Sequence, residues 1–98
     1  MPPEFFVFTR CHAREGLRDS VAAAIQEVLI PTRQEPGCLK IDAFVSTGDQ
    51  RLFYIHSRWR DEAAFDHHLQ LPHTSRFLEA IHASIDQPID VVRTKLLR

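Results

Sequence analysis

Glycine is scarce in this 98-residue chain, and its three copies, Gly16, Gly37 and Gly48, are isolated. No phosphate-cradling or dinucleotide loop can be built from them. Neither sign of charge dominates: twelve Lys and Arg stand against thirteen Asp and Glu, a formal charge of -1. Without a basic patch there is no footprint for nucleic acid, and none is expected as a partner. Cysteine appears twice, as Cys11 and Cys38, too far apart for a CxxC redox pair or a zinc knuckle; both read as reduced, buried thiols. Long apolar runs are missing too. Phe5 to Phe8 is much shorter than a signal-peptide core and lacks a basic lead-in, and no segment approaches the ~20 apolar residues of a membrane span. A cytoplasmic protein with no membrane association is expected. No Ser, Cys or Lys stands in a context that would activate it as a nucleophile.

What the chain does have is an ordinary globular composition, 44% hydrophobic and 26% charged. Its length suits one domain spanning residues 1–98. A lone domain of this size buries only roughly 60 to 65% of the surface its unfolded chain exposes, so burial against a partner would help it.

Periodicity sets out the elements. Glu4 to His12 is rich in aromatic and β-branched residues and reads as a strand, with Phe5, Val7 and Cys11 on one face and Phe6 and Phe8 on the other. From Leu17 to Thr32, apolar residues at three- and four-residue intervals mark an amphipathic helix, which Pro31 and Pro36-Gly37 should end. Cys38–Ser46 and Leu52–Trp59 form two strands of a hairpin around a turn that contains Gly48 and Asp49. Asp61 is a good helix N-cap, and the helix it opens is interrupted by Pro72. A second helical piece runs from His73 to about Ser84, and a last strand from Ile89 to Leu97.

This order, strand-helix-strand-strand-helix-strand, predicts a ferredoxin-like α+β fold with a four-stranded antiparallel sheet. Helices can cover one face of such a sheet. The strands are apolar on both, so a homodimer through the helix-free face is expected.

Two segments carry a family likeness: Pro36-Gly37-Cys38-Leu39, and Arg58-Trp59-Arg60-Asp61-Glu62-Ala63-Ala64-Phe65 followed by His68-Leu69-Gln70-Leu71-Pro72-His73. On these the chain resembles the antibiotic biosynthesis monooxygenase superfamily of dimeric α+β barrels. The resemblance implies a cavity between sheet and helices, lined in part by Trp59, that holds a small apolar or aromatic molecule. In relatives that oxidise polyketides an asparagine precedes the tryptophan by four residues, and the matching residue here is Ile55. Haem-degrading relatives use an asparagine on the first strand, where this chain has Thr9.

Candidate site residues follow from the likeness and from strand alternation. Ile55 and Ser57 share the face of Trp59, and Phe65 and Phe77 project from the helical layer. Thr9, Ile55, Ser57, Phe65 and Phe77 are the expected substrate-binding residues. His68 and His73 match family positions and are expected, with Trp59, to be catalytic, because an imidazole can take a phenolic proton near neutral pH. The indole N–H of Trp59 could meet a substrate oxygen; His73 could otherwise cap the helix after Pro72. His12, His67 and His82 read as surface residues. No metal is expected: His67 and His68 point about 100° apart on a helix, and His68 and His73 are five residues apart, not four.

The resemblance thus implies a cofactor-independent monooxygenase acting with O2 on a small phenolic or quinol-type substrate, which requires an apolar pocket of a few hundred Å3. The two missing asparagines leave two alternatives, a non-catalytic ligand-binding or stress-associated module and, third, a haem-degrading oxygenase.

Overall fold

The structure is a computed structural model and describes residues 4–98. In chain order it contains β1 (Phe5–His12), α1 (Arg18–Arg33), β2 (Cys38–Val45), β3 (Leu52–Trp59), α2 (Glu62–Leu69), α3 (Pro72–His82) and β4 (Asp90–Thr94). The strands form one antiparallel sheet in the order β2-β3-β1-β4, the ferredoxin-like arrangement expected from the sequence.

Side-chain alternation decides what each face meets. On β3, Phe53, Ile55, Ser57 and Trp59 all turn toward the helices and are buried. Their partners on β1 follow the register: Cys11 lies opposite Phe53 and Val7 opposite Ser57. Above them, Val21, Ile25 and Leu29 of α1 and Ile81 of α3 complete one core cluster, while Val7, Trp59, Ala64 and Phe65 form a second. Fully burying side chains of this kind contributes about 1.5 to 3 kcal/mol each. The other face of the sheet is bare. Phe8, Phe44, Tyr54 and Val92 are all exposed there, adjacent across the strands.

The break between α2 and α3 forms as the sequence indicates. The Asp61 carboxylate accepts from the backbone N–H of Ala64 at 2.9 Å and starts α2. Pro72 is the first residue of α3, where its missing N–H costs nothing.

Two expectations, for the last strand and for His12, are corrected. Helix α1 ends at Arg33, one residue past Thr32 and between Pro31 and Pro36-Gly37, with Pro31 inside its last turn. A proline there removes one ladder bond, and the adjacent Thr32 hydroxyl donates to the Val28 carbonyl at 2.6 Å, which ties the turn down. Strand β4 covers only Asp90–Thr94, because its sole neighbour is β1 and Thr94 already pairs with Phe6 near the start of that strand. His12 is no ordinary surface residue: its side chain is 12% exposed, with Nδ1 2.8 Å from Asp86 and Nε2 2.9 Å from Asp49. Hydrogen bonding to Asp86 and then to Asp49 raises its pKa.

Candidate active site between sheet and helices

A cavity of about 60 Å3 lies between the helical face of the sheet and the helix layer. Thr9, Ile55 and Ser57 line it from the sheet, Phe65 and His68 from α2, and Phe77 from α3. All five residues expected to bind substrate therefore meet at one cavity. Its volume is well short of the few hundred Å3 expected for the substrate, so the expectation of an open pocket is corrected: the side chains of the helix layer fill most of that space. Val91 of β4 also reaches the cavity, and β4 is held to α2 by Arg93, which donates to Glu62 at 2.9 Å and to Asp66 at 2.8 Å.

Trp59 does not line this cavity. It is 0% exposed, packed against Phe65 and His68, and its indole N–H donates to Ser57 Oγ at 2.9 Å. The two residues stand two apart on one strand, so their side chains emerge on the same face and the short serine reaches the ring. The expectation that the indole N–H meets substrate is thus corrected: that donor is already used. The consequence passes to Ser57, whose oxygen accepts from Trp59 and whose own O–H is left to donate into the cavity it lines.

His68 is buried on the cavity wall, its ring 4.8 Å from that of Trp59 and 5.7 Å from that of Phe65. Burial pushes its pKa below the ordinary value and outweighs the opposing effect of Glu35, favouring the neutral imidazole. Its Nδ1 lies 2.7 Å from Glu35 Oε2, and the Thr74 hydroxyl donates to its backbone carbonyl at 2.6 Å. A proton on Nδ1 directed at a carboxylate leaves Nε2 with its lone pair.

His73 is brought next to His68 but not into the cavity. Its Nε2 lies 2.8 Å from the same Glu35 oxygen, and it lines an outer groove between α1 and α3 with Pro31 and Arg76. Nor does it cap α3, whose N-cap position is Leu71 with no side-chain bond. The spacing rule for two ligands on one helix does not govern this pair, because the chain restarts its helix at Pro72.

Glu35 is the residue that sequence reasoning missed. It sits just after α1, separated from its two histidines by 33 and 38 positions, and no local pattern marks it. Its side chain is 8% exposed, and its second oxygen, Oε1, is buried without a partner among the described residues. One ligand atom each from Glu35, His68 and His73 lie within 4.8 Å of one another, a spacing compatible with a bound metal ion.

The profile of the family described as antibiotic biosynthesis monooxygenase matches residues 4–80, most of the chain. The chain belongs to the antibiotic biosynthesis monooxygenase family. It is 30% identical over 79 residues to the Bacillus subtilis protein named "Putative monooxygenase YcnE", covering 81% of this chain and 83% of that one. Among solved structures it is similar to PA3566 from Pseudomonas aeruginosa, with a TM-score of 0.92, 26% identity and coverage of 100% of this chain and 98% of that one. A second structure, named as an antibiotic biosynthesis monooxygenase, gives a TM-score of 0.90 at 31% identity, covering 96% and 99% of the two chains. Family and names together support a monooxygenase-type function. The family is typically dimeric. Among the described residues no helix is long and apolar enough to cross a membrane.

Proposed function

We propose that this protein is a cofactor-independent monooxygenase of a single-ring phenol or hydroquinone, working as a homodimer with one cavity per subunit. The observation that supports it is the meeting of Ser57 and His68 on the wall of an otherwise mostly apolar cavity. The substrate hydroxyl is placed between the Ser57 O–H, oriented by Trp59, and the neutral His68 ring.

His68 accepts the phenolic proton, and Glu35 steadies the imidazolium that results. The phenolate is electron-rich in a cavity that excludes water, and it reduces O2 itself. In a phenol with a free para carbon that carbon gains a peroxide, and loss of water from it leaves the quinone; in a hydroquinone the carbon ortho to the oxygen takes the peroxide, and loss of water leaves the hydroxyquinone. One oxygen atom of O2 enters the product and the other leaves as water, with all four electrons supplied by the substrate. The polar groups on the wall act before and after this step by binding and by holding the proton.

The cavity favours the smallest substrates. A single ring requires Phe77, Leu78 and Leu69 to move aside; these residues line the cavity without being fully buried. A tetrapyrrole is many times larger than the space, which weighs against haem cleavage. Chelator-treated protein incubated with hydroquinones and simple phenols should consume oxygen and release the quinone, and His68→Asn should abolish this. If no substrate in a broad panel raises oxygen uptake above background while thermal shifts still report binding, the site is a ligand-holding module instead.

A further inference from the structure

We propose that Glu35, His68 and His73 form a binding site for a divalent first-row transition metal of the Zn2+ class, which takes Nδ1 of His68 and so, when occupied, suspends the proton-accepting role given to that ring in the cavity. The donor set is two imidazole nitrogens and one carboxylate oxygen, borderline ligands that suit zinc and its neighbours rather than calcium or magnesium. Two histidines and a glutamate with a further position open is also a recurring zinc arrangement.

Three separate parts of the chain deliver these groups. Glu35 comes from the turn after α1, His68 from the last turn of α2 and His73 from the first turn of α3. Their ligand atoms lie within 4.8 Å of one another, and Nδ1 of His68 and Nε2 of His73 both stand less than 3 Å from Glu35 Oε2. Atoms bound tetrahedrally to one ion at about 2.0 to 2.2 Å sit about 3.3 to 3.6 Å apart, so side-chain shifts on the order of an ångström admit the metal.

The carboxylate itself indicates that something is missing. Both histidines approach one oxygen, while the other, Oε1, is buried and unpartnered among the described residues, on a side chain that is 92% withdrawn from solvent. Leaving a carboxylate oxygen buried without a donor is costly, and a cation at this point would satisfy the group. Thr74 adds an outer support by holding the His68 carbonyl, and the groove beside His73, Pro31 and Arg76 gives an ion a way in from solvent.

The test reads binding, not turnover, so it is decided whether or not the cavity oxidises phenols. Chelator-treated full-length protein is dialysed against Zn2+ and titrated with Co2+. One equivalent of zinc per chain and a visible Co2+ d–d band are expected. Glu35→Gln and His73→Ala should each weaken zinc binding more than about tenfold. His12→Ala should leave it unchanged, because the two nitrogens of His12 face separate carboxylates. In the unsubstituted protein the 15N resonances of the His68 and His73 rings should shift with zinc, a readout that needs no variant to fold. Absence of stoichiometric binding, binding undiminished in both variants, or unshifted His68 and His73 resonances would overturn the proposal.

Discussion

At the residue scale, burial decides what each polar group can do. Among the described residues Ser57 is the acceptor of the indole N–H of Trp59. Replacing it by alanine leaves that donor buried and unpaired, and Ser57→Ala is expected to cost about 1 to 3 kcal/mol in chemical denaturation. A serine-to-threonine change keeps the oxygen and should cost less. His12 gives a pH dependence of known sign. Its pKa is raised by Asp86 and Asp49, so its contribution to stability is fully present below the ordinary histidine value and is lost as pH rises through the raised one. Asp49 is held below the usual carboxylate range by the Arg51 backbone N–H and then by His12, and Asp86 chiefly by His12. Their contribution is present above the ordinary aspartate value and lost as pH falls through the lowered ones. Both contributions coincide between the two ranges. The difference in melting temperature between the wild type and His12→Asn should therefore be largest in mildly acidic solution and shrink toward alkaline and strongly acidic pH; a difference that grows above neutral pH would contradict the pairing.

At the scale of elements, local signals were easy to read and distant ones were not. The alternation of Phe53, Ile55, Ser57 and Trp59 announced both the strand and its buried face. Asp61 announced α2, and Pro72 the restart at α3. Five cavity residues followed from these faces together with family likeness. What stayed hidden depends on contacts between elements: Glu35 reaching α2 and α3, Asp49 and Asp86 converging on His12, and the space left after the side chains had packed. Periodicity reports which way a side chain points but not what it meets. Pro31 and Pro36-Gly37 bracketed the end of α1, which stops at Arg33 between them. Packing between elements also explains Gly37: a Cβ there would lie 2.4 Å from the Ala64 Cβ, too close for either to remain in place. Gly37→Ala is expected to destabilise the protein by about 1 to 3 kcal/mol, because β2 or the start of α2 must shift. A variant with unchanged denaturation would mean that the contact is looser than it looks.

For the whole molecule, the bare sheet face carries the proposal of a homodimer. Phe8, Phe44, Tyr54 and Val92 form an apolar patch that no helix among the described residues covers. A charge placed in its middle should oppose association, and Phe8→Glu is expected to sediment as a monomer at concentrations where the wild type is a dimer. A wild type that is itself monomeric in dilute solution would remove the second cover and with it the dimeric barrel.

The sheet's centre is its earliest strand. β1 lies between β3 and β4, and its bond from the Thr94 hydroxyl to the Phe6 carbonyl joins residues 88 positions apart. During synthesis that flank of β1 must wait, unpaired, until β4 has left the ribosome. Closure is a non-local event, so the nascent chain is most vulnerable to wrong strand pairing before β4 arrives, and deleting β4 should impair folding far more than its five residues suggest.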